Sequence, residues 1–410
     1  MSSRDLDRRL VGFFDAVSSD SLPEGLLDAV YAVTRETGQR KGPVARRTAA
    51  LAAWWSNPFG SAPGLRVLAV AAFLLIALAA SLVYVAGHLG RLPPPYGPAV
   101  NGPLVYDLDK HLFVLDDDGT SRRLDIGLGR SWGPVFSPDG TRLAFQTQAA
   151  DQTPTQLWVA NADGSNARSI SGDIAPTGDL GFTWSPDSGR IAYASDAGGG
   201  HSALFVAAAD GSGVRRITKD DGADRSYPTW SPGGDLIAYR LVPATQDEAR
   251  LAVISPEGDG EHWLVTAVLS AGAFAGSQWS LDGTRIAYFR KQDVSQADIV
   301  EIVDLDRNVE PISDPSENSF NPAWSNDGRR LAYARDPQSA VIVDLASGKR
   351  TELALGLADC GAYWTPDDRY IVGLGSSCAE VLRFPVDHPE AVQHIGAGAV
   401  NGASIQRLAP

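Results

Sequence analysis

One ten-residue phrase occurs six times in this chain, and its spacing leaves few folds open. It reads FSPDGTRLAF from Phe136, WSPDSGRIAY from Trp184, WSPGGDLIAY from Trp230, WSLDGTRIAY from Trp279, WSNDGRRLAY from Trp324 and WTPDDRYIVG from Trp364. The leading aromatic residues stand 48, 46, 49, 45 and 40 positions apart. That is the period of a four-stranded propeller blade, not of a helical repeat or a leucine-rich horseshoe.

The phrase reads physically as a hairpin. An aromatic residue ends one strand, Ser-Pro-Asp-Gly reverses the chain, and a β-rich stretch such as 143–145 or 191–193 starts the next. Proline presets φ at a corner, aspartate bonds its own downstream backbone, and glycine tolerates positive φ. Each period holds two further strand signals, such as 156–160 followed by an Asp-Gly turn, or 203–207 followed by 214–218. Four strands per period make a blade.

Strand counting raises six phrases to seven blades. Ahead of the first phrase, 103–107, 111–115 and 122–126 fit the second, third and fourth strands of a blade whose first strand is missing. Residues 401–408 fit an isolated first strand. Joining the two ends closes the ring and removes an open sheet edge. The expected fold is therefore all-β, a seven-bladed propeller over residues 101–410 with terminal-strand closure. Six blades is the alternative if the last strand does not form.

The phrases at Trp184, Trp230 and Trp279 resemble the WD40-like, or PD40, repeats of TolB-like β-propellers. The likeness covers about residues 100–410. It implies the fold and little about activity.

Residues 67–86, VLAVAAFLLIALAASLVYVA, run for twenty positions without a charge or proline. Helical rise carries such a stretch across roughly 30 Å of hydrocarbon, so a transmembrane helix is expected. Arg40, Lys41, Arg46, Arg47 and Arg66 precede it, whereas only Arg91 follows before Lys110. The positive-inside rule then puts the amino terminus in the cytoplasm and the propeller outside it. The expected plan is a helical cytoplasmic segment at 1–38, a basic juxtamembrane linker at 39–66, the span, a linker at 87–100, and the propeller. Leu6, Leu10, Phe13, Phe14 and Val17 share one helical face. A second pattern follows the Ser21-Leu-Pro-Glu cap through Leu26, Leu27, Val30, Tyr31 and Val33. This layout is similar to membrane-bound anti-sigma factors, which implies a sigma factor as cytoplasmic partner.

The net charge is −14, and its distribution is uneven. Residues 1–66 carry nine basic against seven acidic side chains, leaving 26 against 42 beyond them. An outer domain this acidic repels nucleic acid. Arginine outnumbers lysine 30 to 5, a bias that fits a bacterial chain. Cys360 and Cys378 fall in the last complete blade, near loops that antiparallel strands bring to one end. A disulfide is the expectation in an oxidising compartment, with two buried thiols as the alternative.

Catalytic motifs are few. Gly129-Arg-Ser131-Trp-Gly133 matches GxSxG, yet it enters a blade strand instead of a strand-to-helix elbow. Asp304, Asp306 and Asn308 open like a calcium loop, but Pro315 occupies the twelfth position. His111 and His201 begin third strands two blades apart, without a third metal ligand. Asp118, Asp163 and Asp210 recur at one blade position as hairpin corners. Trp184, Trp230, Trp279, Trp324 and Trp364 are too regular for a ligand site and are expected to pack between blades. No catalytic, cofactor or metal residue is assigned. Ligand contacts are expected in the long loops before first strands, at 172–181, 219–227, 267–276 and 314–318.

The expected function is a non-enzymatic, membrane-anchored propeller outside the cytoplasm, binding a protein, peptide or glycan. A transmembrane sensor with an anti-sigma-like cytoplasmic segment is the alternative. A metal-dependent lyase or hydrolase ranks third.

Overall fold

The computed structural model describes residues 97–408 except 117–119, 149–154, 172–180, 197–199, 246, 270–272, 292, 294–296, 336–338, 355–356, 376–379 and 398–401. Within them, seven four-stranded antiparallel sheets form. Six are built from consecutive strands, while the remaining one pairs Ala403–Leu408 with Val100–Leu108. The seven-bladed expectation and its terminal-strand closure both hold. The expected span at 67–86, the cytoplasmic segment and the linkers up to residue 96 lie outside the described residues. Among those described, no helix is long and apolar enough to cross a membrane.

Blades are numbered along the chain, and each has an inner, second, third and outer strand. Blade one comprises Ala403–Leu408, Val100–Leu108, His111–Leu115 and Ser121–Arg123. Blade two runs from Arg130–Phe136 to Arg168–Ser169, blade three from Phe182–Trp184 to Arg215–Arg216, and blade four from Asp224–Trp230 to His262–Val268. Blade five runs from Gln278–Trp279 to Val309–Pro311, blade six from Ser319–Trp324 to Arg350–Ala354, and blade seven from Leu357–Trp364 to Gln393–Ala397.

Hydrogen bonds within the phrase build its turn. Ser137 Oγ donates to Asp139 Oδ1 at 2.6 Å and accepts from the Arg142 amide at 3.0 Å, while the Thr141 amide donates to the same carboxylate. Gly140 turns the chain at φ +69°. The same serine-to-aspartate bond recurs at Ser185, Ser280 and Ser325, with threonine in its place at Thr365. In blade four the aspartate is displaced to Asp235, and Ser231 still reaches it at 2.9 Å.

Apolar burial is organised between blades. Seven buried clusters mark the seven interfaces, and six contain the leading aromatic residue of a phrase: Phe136, Trp184, Trp230, Trp279, Trp324 and Trp364. Each of these side chains is at least nine-tenths buried. Four of the indoles also donate to the inner strand of the preceding blade. Trp184 bonds the Val135 carbonyl at 3.1 Å, Trp279 that of Thr229 at 3.1 Å, Trp324 that of Gln278 at 3.2 Å and Trp364 that of Ala323 at 3.0 Å. An arginine from the preceding blade covers the ring in four cases, namely Arg142 on Trp184, Arg190 on Trp230, Arg285 on Trp324 and Arg330 on Trp364, at 4.6–5.6 Å. Blade four has Leu236 in that slot, packed against the cluster that holds Trp279. The tryptophans are architecture, as their regularity predicts.

Inner strands bend three residues before the aromatic, where Gly133, Gly181, Tyr227, Gly276 and Asn321 all have left-handed φ. Neighbouring bends face each other. A Cβ on Gly181 would lie 3.3 Å from Tyr227 Cα, and one on Gly402 would lie 3.2 Å from Gly133 Cα. Close backbone approach therefore explains Gly181 and Gly402, whereas Gly133 and Gly276 have room for a Cβ and owe their place to positive φ.

Candidate functional site at the closing seam

The seventh interface, between blades seven and one, has no aromatic anchor. Ile405 pairs with Leu104, the register that Phe136 holds opposite Leu143. The closing strand thus presents Ile405-Gln406-Arg407 where other blades present an aromatic residue, serine and proline. Its buried cluster is Leu104, Tyr106, Leu115, Val372 and Val381, with Ile405 only partly buried. A smaller side chain in a slot shaped for an indole leaves space, and a cavity of about 250 Å³ opens there. Its walls include Val135, Tyr363, Trp364 and Ile405, with Asn326 and Arg407 as its polar rim.

Three substitutions within the repeat converge on that rim. Asn326 stands where other phrases have proline or leucine, Asp368 where four phrases have glycine and one has Ser188, and Arg407 at the proline position of the closing strand. Arg407 Nη1 donates to Asn326 Oδ1 at 2.7 Å. Asn326 donates through its amide and its Nδ2 to Asp368 Oδ1, at 2.7 and 2.8 Å, and the Asp327 amide donates to Asp368 Oδ2. Asp368 sits at φ +58°, as Ser188 does at the same place in blade three; aspartate tolerates this conformation better than most side chains. Burial pushes its carboxyl up, against the lowering effect of the Asn326 and Asp327 bonds. Arg407 also donates to the Gly97 carbonyl, and the Ala99 amide bonds the Pro366 carbonyl at 2.7 Å, so the chain enters the propeller beside this rim. Gln406 donates to the Gly140 carbonyl and Ser404 Oγ accepts from the Phe136 amide, tying the closing strand to blade two.

Tyr363 is the reachable aromatic residue of the cavity. It is 39% exposed, and burial of the phenol, followed by the charge of Asp107, pushes its pKa up. Its hydroxyl therefore stays protonated at ordinary pH. The seam offers an apolar wall, the hydroxyls of Tyr363 and Ser404, one amide and one guanidinium. That set suits recognition; a general base or nucleophile pair is not part of it.

The residues singled out by sequence fall elsewhere. Ser131 is buried on the inner strand of blade two, its amide bonded to the Lys110 carbonyl, with no elbow around it. Asp304 accepts from the Asn308 amide and side chain at 2.8 and 2.7 Å, a strand followed by a turn. Asp163 and Asp210 each accept from the serine two residues on, as hairpin corners; Asp118 lies outside the described residues. His111 Nδ1 is 3.2 Å from Arg123 Nη2, while His201 Nδ1 is 3.9 Å from Asp224 Oδ1, so different partners hold them. Among the described residues no group of three or more His, Cys, Asp or Glu is placed to hold a metal. Cys360 lies on the inner strand of blade seven; its side chain and the whole of Cys378 are outside the described residues.

Two loop boundaries need correction. The loop expected at 219–227 ends where Asp224 begins an inner strand, because Arg225 is buried and bonded to Asp221 at 2.8 and 2.9 Å. The loop expected from 267 begins later, since the outer strand of blade four runs through Val268. Sequence reasoning missed the seam. Aligning the last strand with the Trp-Ser-Pro positions exposes Ile405 and Arg407 as its outliers.

With this geometry in place, likeness to known proteins sharpens the fold. Residues 112–278 match the family model of the TolB β-propeller domain, PD40. Over those residues, less than half of the chain, the propeller is similar to TolB β-propeller domains. Over 60 residues this chain is 47% identical to the Tol-Pal system protein TolB of Anaeromyxobacter dehalogenans (strain 2CP-C), which is 14% of this chain and 13% of that protein. Over 209 residues it is 25% identical to the uncharacterized peptidase YuxL of Bacillus subtilis (strain 168), 49% of this chain and 29% of that one. The chain thus spans less than a third of either relative's length. Among solved structures, an oligogalacturonate lyase in complex with manganese matches with a TM-score of 0.53 at 13% identity, over 73% of this chain and 86% of that one. At that identity the likeness is one of fold.

Proposed function

We propose that this chain is a non-enzymatic binding module, a TolB-like propeller anchored in the membrane through residues 67–86 and displayed outside the cytoplasm. Its ligand is a protein, peptide or glycan that seats one side chain or sugar ring in the closing-seam cavity. The observation that carries the reading is the seam itself. Where six interfaces are filled by an aromatic residue, the seventh leaves about 250 Å³ beside Tyr363, Asn326 and Arg407. That volume is below the range of pockets that enclose a whole drug-sized ligand or cofactor. A protruding group of a larger partner fits it better.

The test uses arrays of immobilised peptides and glycans probed with the full chain in detergent. Wild type is expected to retain a defined subset, and Tyr363→Ala is expected to lose roughly tenfold in apparent affinity for it. Equal retention by Tyr363→Ala rules out the seam as the seat.

A second reading rests on the amino-terminal pattern, two short amphipathic stretches followed by a basic flank and an apolar span. In it the propeller is the outer sensor and residues 4–36 hold a cytoplasmic regulator such as a sigma factor. Capture by a peptide of residues 1–60 separates the readings: reproducible retention of a sigma factor favours the sensor, and repeated failure counts against it. A metal-dependent lyase or hydrolase is the third reading. Turnover of any substrate that disappears with a chelator and returns with the metal would establish it.

A further inference from the structure

Outer strands are where a propeller's sheets end, and the seven blades treat them unequally. Blades one, two, three and five finish with two or three residues: Ser121–Arg123, Arg168–Ser169, Arg215–Arg216 and Val309–Pro311. All four carry charge, and the last ends in proline. Short, charged or proline-bearing edges block further pairing. Blade six ends in five residues with charge, Arg350–Ala354, and blade seven in five without, Gln393–Ala397; blade four has the longest outer strand, His262–Val268, seven residues reading HWLVTAV, without an acidic or basic side chain other than histidine and without proline. Leu264, Val265 and Ala267 are buried and fix this strand to its blade, whereas His262, Trp263 and Thr266 face solvent. About half of its backbone N–H and C=O groups point away from the third strand, as in any antiparallel pair.

Trp263 is held ready beside that edge. It is 39% exposed. The Arg307 guanidinium lies 4.3 Å from its ring centre and that of Arg250 at 5.8 Å. Arg307 belongs to blade five and has φ +71°, at the hairpin corner where blades two to four have Gly164, Gly211 and Gly258. A non-glycine residue in that conformation is uncommon, and this one places its cation on the neighbouring blade's exposed indole. A cavity of about 360 Å³ adjoins, lined among others by Trp263, His262, Arg250 and Pro243.

Charge decides what the edge receives. Residues beyond 66 carry 42 acidic against 26 basic side chains; beside the edge Arg250 is paired with Glu248, and the hairpin that leads into the strand exposes Asp259 and Glu257, the latter 3.7 Å from Arg190, so the acidic groups around the strand outnumber the Arg250 and Arg307 cations on Trp263. A second copy of this chain would bring two acidic surfaces together, while a basic segment is attracted. We propose that the outer strand of blade four docks an extended, lysine- or arginine-bearing segment of a partner protein, which adds as a fifth strand with an apolar side chain against Trp263. Backbone bonds supply the affinity in this mode, and alternate side chains supply the choice. The edge is separate from the closing seam and does not depend on it.

The experiment uses the full chain in detergent and the labelled peptide Lys-Val-Thr-Val-Thr-Val-Lys. Two controls are the same peptide with glutamate at both ends and one N-methylated at alternate amides. Binding is read by anisotropy, with amide exchange followed over 262–268. The basic peptide is expected to bind roughly tenfold more tightly than the acidic one, to protect 262–268, and to lose binding on N-methylation. Thr266→Lys, on an exposed position, is expected to weaken it about tenfold, while Tyr363→Ala leaves it unchanged. Equal binding of all three peptides, or no protection at 262–268, overturns the proposal. So does a concentration-dependent dimer in sedimentation that Thr266→Lys dissolves, which would make the occupant a second copy.

Discussion

The indole N–H of Trp364 donates to the carbonyl oxygen of Ala323 at 3.0 Å, joining blade seven to blade six. Equivalent bonds join four of the seven interfaces, so Trp184, Trp279, Trp324 and Trp364 are each both apolar filler and directional staple. Trp364→Phe keeps most of the filler and drops the bond; it is expected to cost about 1 kcal/mol. Trp364→Ala is expected to cost about 3–5 kcal/mol. Trp230 is the internal control, since its Nε1 has no partner among the described residues. Trp230→Phe should therefore cost less than Trp364→Phe in urea denaturation of the same chain.

Acid should loosen the turns. Asp139, Asp187, Asp282 and Asp327 are raised by partial burial, but the serine hydroxyl, a backbone amide and the following arginine outweigh it and hold each below the usual 3.8. Bonding to Arg225 holds Asp221 lower still, at about 2. A carboxyl depressed in the folded state contributes stability that is complete above its unfolded pKa and is lost as pH falls through the folded value. Asp368, raised by burial, works in the opposite sense. Asp298 is raised in the same way, but the depressed carboxyls outnumber these two, so the urea midpoint should be flat from pH 7 to 5 and fall between roughly pH 4 and 2. Asp282→Asn should reduce that fall.

Filling the seam should separate stability from binding. Ile405→Phe restores the aromatic position of the other six interfaces, and filling a cavity commonly adds about 0.5–2 kcal/mol. The thermal midpoint should rise or stay level while ligand retention on the arrays is lost. A fall in both would show that the slot cannot accept a ring.

Closure itself can be removed. A chain ending at residue 402 lacks the inner strand of blade one and leaves the edge of Val100–Leu108 unpaired. Open edges pair with other chains, so sedimentation should show oligomers absent from the full chain. A monomeric truncated chain with an unchanged midpoint would contradict ring closure.

How much of this was readable in the amino-acid sequence depends on whether a residue obeys the repeat. Trp184 and its counterparts recur in register, and the strand signals between them give blade count, closure and inter-blade packing. The arginines on the indoles were not foreseen, because Arg142, Arg190, Arg285 and Arg330 look like surface charges until the neighbouring blade is brought over them. The seam was hidden for a related reason. Ile405 and Arg407 lie on a strand too short of motif to align by eye, and their link to Asn326 spans 81 positions. Blade four's loop boundaries were misplaced because Asp224 and Arg225 look solvent-exposed in sequence, whereas Arg225 is buried against Asp221 and Glu261.

On the proposed reading, recognition occurs where the repeats disagree, at the closing seam. The most direct measurement is differential amide exchange of the full chain with and without the tightest peptide or glycan from the arrays. Protection concentrated at 326, 363–366 and 404–407, and absent in Ile405→Phe, is the predicted result. Protection confined to other blades, with these segments exchanging as in the free chain, would contradict it.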